Sequence, residues 1–82
     1  MKLKVLTPDR EVVSAEVESV VLPGRVGQME ILPQHAKLIS LLSPGEILCK
    51  NGSAVKRCAI QDGIVEVNQD QVTCLVAISD AS

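Results

Sequence analysis

Turn-forming residues interrupt this chain so often that the sequence favours short strands throughout. Residues 20–42 show this most clearly, because they hold two of the four prolines and two of the five glycines. Pro23 and Gly24 are expected to end the segment before them, since proline lacks a backbone donor and glycine readily takes positive φ. Residues 29–32 are too short for a stable helix and stop at Pro33. We therefore predict strand, bent loop, short strand and turn in this stretch.

Further turn signals divide the rest of the chain. Proline stands second in Thr7-Pro8-Asp9-Arg10, where a type I turn favours it, and Asn51-Gly52 is a strong hairpin signal. Asp62-Gly63 and residues 68–71 are also predicted turns. The strands predicted between the turns are residues 3–6, 12–22, 29–32, 37–42, 47–50, 54–61, 64–68 and 72–78. This pattern predicts an all-β fold, a small β-sandwich of two antiparallel sheets or flattened barrel with about 8 to 10 short strands.

Residues 12–22 have a period near two, which is typical of a strand with one buried face. Ala15, Val17 and Val21 are predicted to face the core, and Val20 falls among the polar residues of the other face. The chain is 46% hydrophobic but has no Phe, Tyr or Trp, so its core must consist of Val, Ile, Leu, Ala and Cys.

Composition and charge exclude several kinds of function. A net charge of −2 opposes nucleic-acid binding, which needs a basic surface, and the lack of aromatic residues removes base stacking. Three cysteines in apolar runs indicate core packing in a reducing compartment, and their spacing does not indicate a metal site. His35 is the only histidine, and no phosphate-binding glycine loop is present. We expect no catalytic residue, cofactor, metal or small-molecule substrate, and a monomer when isolated.

Two blocks of sequence carry a resemblance to a known family. The first runs from Leu22-Pro23-Gly24 through Ile31-Leu32-Pro33 and His35-Ala36 to Pro44-Gly45, and the second covers residues 60–68 and 72–75. This ordered set, which covers essentially all 82 residues, resembles the N-terminal β-sandwich of the epsilon subunit of F-type ATP synthases. Three positions depart from the family pattern, and they put only local contacts in doubt: Glu30, Lys37 and Asp62.

The resemblance implies a non-catalytic rotor subunit in the central stalk of a proton-translocating ATP synthase. It would bind the gamma subunit and the c-ring, on the cytoplasmic face of a bacterial inner membrane or the stromal face of a thylakoid. Family positions that face gamma correspond to Thr7, His35 and Ser40. Those that reach the c-ring correspond to Arg25, Val26, Gly27 and Gln28.

Family members usually continue into a C-terminal helical hairpin that restrains ATP hydrolysis and in some members binds ATP. Only five residues follow Ala77, so residues 1–82 are expected to be the β-sandwich domain alone, able to couple rotation but not to restrain hydrolysis or bind ATP. The alternative is an all-β carrier or adaptor domain with no rotor role. A carrier domain presents a modified lysine at a hairpin tip, and Lys50 stands beside the Asn51-Gly52 turn.

Overall fold

The computed structural model describes residues 1–34 and 37–78, and these two ranges contain nine β-strands and no helix. The predicted all-β class is thereby confirmed, and a membrane-spanning helix is not found in the part of the chain described. The strands are β1 Lys2–Leu6, β2 Glu11–Glu16, β3 Ser19–Gly24, β4 Gly27–Ile31, β5 Leu38–Leu42, β6 Gly45–Asn51, β7 Ala54–Ile60, β8 Asp62–Asn68 and β9 Gln71–Ala77.

The strands form one continuous curled sheet in the order β2-β1-β9-β8-β5-β3-β6-β7, with β4 paired to β3. We predicted two antiparallel sheets, but β3 pairs with both β5 and β6 and so connects the two halves by hydrogen bonds. The β1–β9 pair is also parallel rather than antiparallel. Curling places the two halves face to face, which gives the sandwich its enclosed interior.

The core is built from aliphatic side chains and cysteine, as the composition predicted. Burying each large aliphatic side chain contributes about 1.5 to 3 kcal/mol, so many close-packed small contacts replace the missing aromatic rings. Every buried side-chain nitrogen and oxygen in the described ranges has a hydrogen-bond partner. The fully buried side chains are Leu3, Val5, Val20, Leu22, Ile31, Leu42, Ile47, Val65, Val67, Val72 and Cys74.

The single strand predicted over residues 12–22 is wrong, because the chain changes partner at Val17 and Glu18. The Val17 N–H donates to the Met1 carbonyl oxygen at 2.8 Å, whereas the Glu18 N–H donates to the Lys50 carbonyl oxygen at 2.9 Å. The chain therefore leaves β1 at the end of β2 and joins β6 at the start of β3. Val17 and Val21 are buried as predicted, but the change of neighbours leaves Ala15 exposed and Val20 fully buried, so these two predicted positions are wrong.

Pro23 and Gly24 continue β3 instead of ending it, and only Arg25 and Val26 form the turn into β4. Proline is tolerated here because its carbonyl oxygen, which accepts from the Ser43 N–H at 2.7 Å, provides the pairing. Gly24 is required for a steric reason. A Cβ at this position would lie 2.5 Å from the Gly27 carbonyl oxygen across the turn.

Asp62 and Gly63 are likewise the start of β8 and not a tight turn, since they pair with Ala77 and Val76. The Asn51-Gly52 signal did mark a hairpin, but its central residues are Gly52 and Ser53, and Gly52 has φ of 65°. The predicted turn at residues 68–71 is confirmed as the β8–β9 hairpin.

Candidate functional site

The first exposed feature is the turn between β3 and β4. Arg25, Val26, Gly27 and Gln28, here called the tip, are all exposed, and the Val26 side chain is 97% accessible. Gly27 has φ of 140°, and a Cβ there would meet no atom within 4 Å. The tip therefore presents one apolar and two polar side chains to solvent on a short hairpin.

The backbone of the tip is held to the body of the sheet, although its side chains are exposed. The Arg25 N–H donates to the Leu41 carbonyl oxygen at 3.1 Å, and the Ser43 N–H donates to the Pro23 carbonyl oxygen at 2.7 Å. These two bonds flank the one residue pair, Gly24 with Leu42, that joins β3 to β5. Backbone pairing thus fixes the position of the four residues that the resemblance assigned to the c-ring.

The second exposed feature is a line of apolar side chains across four neighbouring strands. Leu41 of β5 pairs with Ile64 of β8, Ile64 pairs with Leu75 of β9, and Leu75 pairs with Leu6 of β1. Directly paired residues lie on the same face of a sheet, so these four form one transverse row on the outer face, here called the apolar row. Leu41 is 46%, Ile64 37% and Leu75 52% accessible.

A mixed row borders the apolar row along the same strands. Ile39 pairs with Glu66, Glu66 with Thr73, and Thr73 with Lys4. An apolar centre with a polar border is typical of a protein–protein interface. Sequence analysis missed this surface, although Ile64 and Leu75 gave a signal. Each is apolar at a position where the alternation of its strand otherwise places polar side chains outside.

The residues that the resemblance assigned to the gamma interface do not lie together on one exposed surface of the described structure. The half-buried Thr7 directly follows Leu6, and its hydroxyl donates to the Arg10 carbonyl oxygen and accepts from the Asp9 and Arg10 N–H groups, all at 3.3 Å. This hydroxyl is therefore engaged within its own turn. Ser40 is half-buried and pairs with Val65, which belongs to the core, so its side chain lies on the inner face. His35 lies outside the described residues.

Lys50 does not occupy the position that a carrier domain requires. It lies within β6, where it pairs with Ser19 and Val55, and the turn begins two residues later. Its ammonium group lies 3.7 Å from a carboxylate oxygen of Glu30, one of the three residues that depart from the family pattern. Nothing in this arrangement presents Lys50 at a hairpin tip for modification.

The three cysteines pack in the sheet, as predicted. Burial raises the pKa of all three thiols, and that of Cys74 reaches about 12. Burial thus disfavours the thiolate, which is the form that binds metals. Within residues 1–34 and 37–78, no three potential ligand side chains are grouped to hold a metal ion.

Comparison with known proteins gives consistent matches. The sequence-family model of the ATP synthase delta/epsilon chain β-sandwich domain matches residues 1–79. The ATP synthase epsilon chain 2 of Syntrophotalea carbinolica is 39% identical over 98% of this chain and 58% of its own length. The ATP synthase epsilon chain of Moorella thermoacetica is 37% identical over 100% of this chain and 62% of its own. This chain thus spans about three fifths of the length of these curated relatives.

Two solved structures have the same fold. A chain of the Euglena gracilis mitochondrial ATP synthase assembly of OSCP, F1 and c-ring superposes with a TM-score of 0.84 at 22% identity, over 90% of this chain and 48% of that one. A chain of the Tetrahymena thermophila mitochondrial ATP synthase central stalk and c-ring gives 0.78 at 17% identity, over 93% and 62% respectively. At these identities the likeness establishes the fold alone.

Proposed function

The chain belongs to the ATP synthase delta/epsilon family through its β-sandwich domain, and we propose that it is a non-catalytic, epsilon-type subunit of the central stalk of an F-type ATP synthase. In this role it binds the gamma subunit and the c-ring, and it couples proton flow through the ring to ATP synthesis. Residues 1–82 act as the N-terminal β-sandwich. The subunit is peripheral, at the cytoplasmic face of a bacterial inner membrane.

The apolar row is the observation that carries this proposal. Leu6, Leu41, Ile64 and Leu75 span four strands on one outer face, where Leu41, Ile64 and Leu75 are exposed and Leu6 is half-buried. When a partner covers a contiguous exposed row of apolar side chains, removing them from water stabilises the complex by roughly 25 cal/mol per Å² of apolar surface buried. We assign this row to gamma, with Thr7 at its end beside Leu6.

The tip supplies the second contact. Its side chains are exposed while its backbone is fixed, which suits a contact with the polar loops of another protein more than a role in packing. Arg25 provides charge, Gln28 provides hydrogen-bonding groups and Val26 provides a small apolar surface. We assign these residues and Gly27 to the c-ring. The names of the relatives, and the assemblies in which the structural neighbours occur, support the same role.

Binding of the purified gamma subunit to the chain, followed by calorimetry, tests the assignment. Ile64→Asp places a carboxylate in the apolar row, and we expect gamma affinity to fall about tenfold or more, as truncation at an interface centre does. Asn68→Asp is the matched control, since it adds the same group to the same outer face of β8, four residues further along. The control should bind within about twofold of the unsubstituted chain. Equal affinity for both variants, or no binding of gamma by the unsubstituted chain, would contradict the proposal.

A further inference from the structure

We propose that strand β5 is the mechanical connection between the two partner surfaces, and that the joint between β5 and β3 sets how well displacement of the tip is transmitted to the apolar row. This inference rests on the proposed function, because it concerns how one subunit links the ring to gamma. It assigns that task to one strand and a small set of backbone contacts.

Leu41 takes part in both surfaces. Its side chain lies in the apolar row, paired with Ile64, while its carbonyl oxygen accepts the hydrogen bond from the Arg25 N–H of the tip at 3.1 Å. Leu41 therefore connects the two surfaces directly. Displacement of the tip acts on the Leu41 backbone without passing through a loop.

The joint itself is short and sterically defined. Besides the Arg25–Leu41 bond it contains the Ser43 N–H to Pro23 carbonyl bond, and Gly24 with Leu42 is the only residue pair between the strands. Pro23 has no N–H to extend this pairing. Its ring also packs against Gly45, where a Cβ would lie 2.9 Å from the Pro23 Cβ. The two Pro-Gly dipeptides of the chain, Pro23-Gly24 and Pro44-Gly45, thus meet at one place.

On the other side, β5 is firmly joined to the strand that continues the apolar row. All five of its residues, Leu38–Leu42, pair with β8, which then pairs with β9 over seven residues. β5 is held to β8 by five residue pairs but to β3 by only two hydrogen bonds. The joint is therefore the more easily deformed part of the connection. Weakening it should loosen the tip while the apolar row stays intact.

Ser43→Pro removes the joint's second donor, and Ser43→Ala is the matched control because it keeps the N–H. Ser43 belongs to neither partner surface, and the preceding residue, Leu42, is already extended, as a following proline requires. In the chain, hydrogen exchange of the Arg25 amide should accelerate about tenfold or more in Ser43→Pro and stay within about twofold in Ser43→Ala. The Val67 amide in β8 reports whether the sheet remains intact.

The same variants in an assembled ATP synthase test transmission. We expect Ser43→Pro to bind gamma like the unsubstituted chain but to lower the number of protons pumped per ATP hydrolysed, with Ser43→Ala unchanged. If Arg25 exchange is unaltered, or if it accelerates while the pumping ratio stays normal, the inference is overturned and the proposed function stands. Failure of the unsubstituted chain to bind gamma would instead remove the proposed function.

Gly45→Ala is a second variant in case Ser43→Pro does not fold. The added methyl group must displace Pro23, so it disturbs the joint from the opposite side without removing a hydrogen-bond donor. It should accelerate Arg25 exchange and lower the pumping ratio in the same way. A normal pumping ratio with a displaced Pro23 would also overturn the inference.

Discussion

At the scale of single residues, Cys74 links the composition of the chain to its stability. Its thiol is fully buried and packs among aliphatic side chains in a core without aromatic rings. Burial raises its pKa from 9.0 to about 12, because the surrounding apolar groups cannot solvate a thiolate. In the unfolded chain the thiol ionises at lower pH than in the folded chain, and this difference makes stability depend on pH.

The sign follows from the two pKa values. The stabilising effect is complete below the unfolded pKa and is lost as pH rises toward the folded pKa. We predict that Cys74 alone lowers the free energy of unfolding by roughly 2 kcal/mol between about pH 8 and about pH 10.5. Urea unfolding followed by far-ultraviolet circular dichroism, under reducing conditions, measures this. Cys74→Val should remove that part of the pH dependence, whereas an identical slope in the variant would show that Cys74 does not carry it.

Residue roles could be predicted from the sequence only in part. The burial of Cys49 and Cys74 followed from their apolar surroundings. The inner-face position of Ser40 did not, because it depends on the register of β5 against β8. The resemblance supplied residue assignments for the tip, but it could not show that Arg25 is held by the Leu41 carbonyl oxygen.

At the scale of strands, the prediction failed where one continuous segment pairs with two different strands. The alternation in residues 12–22 continues through Val17, so periodicity gives no sign that the chain passes from β1 to β6 there. The β6–β7 and β8–β9 hairpins were located from the sequence, because a two-residue turn needs only local conformational signals such as Gly52. Asp62-Gly63 was misread for the opposite reason. The sequence does not distinguish a glycine that allows close packing of two strands from a glycine that allows a turn.

Gly63 gives a direct test of that distinction. A Cβ at this position would collide with the Leu75 carbonyl oxygen and lie 2.8 Å from Cγ1 of Val76, so Gly63→Ala must separate the start of β8 from β9. We predict a loss of about 1 to 3 kcal/mol in the free energy of unfolding. Asp62→Ala, at the exposed neighbouring position, should stay within about 0.5 kcal/mol of the unsubstituted chain. If the two variants are equally stable in urea, the close approach of β8 and β9 is not required.

At the scale of the whole molecule, the fold class followed from short strands and frequent turns, while the single curled sheet did not. Strand order decides which outward residues become neighbours. The apolar row therefore exists only because β5 and β1, which are distant in the sequence, lie on either side of the β8–β9 hairpin. Alternation could have flagged Ile64 and Leu75 individually. It could not have placed them beside Leu41 and Leu6.

The whole molecule is thus interpreted as a rigid sheet with one partner surface on its outer face and another at the end of a hairpin, joined through β5. The most direct test is ATP-driven proton pumping by an F-type ATP synthase that has been depleted of its epsilon chain and reconstituted with this chain. Our interpretation predicts that the chain binds and that the number of protons pumped per ATP hydrolysed returns to that of the intact enzyme. A chain that binds while this ratio stays at the level of the depleted enzyme would contradict it.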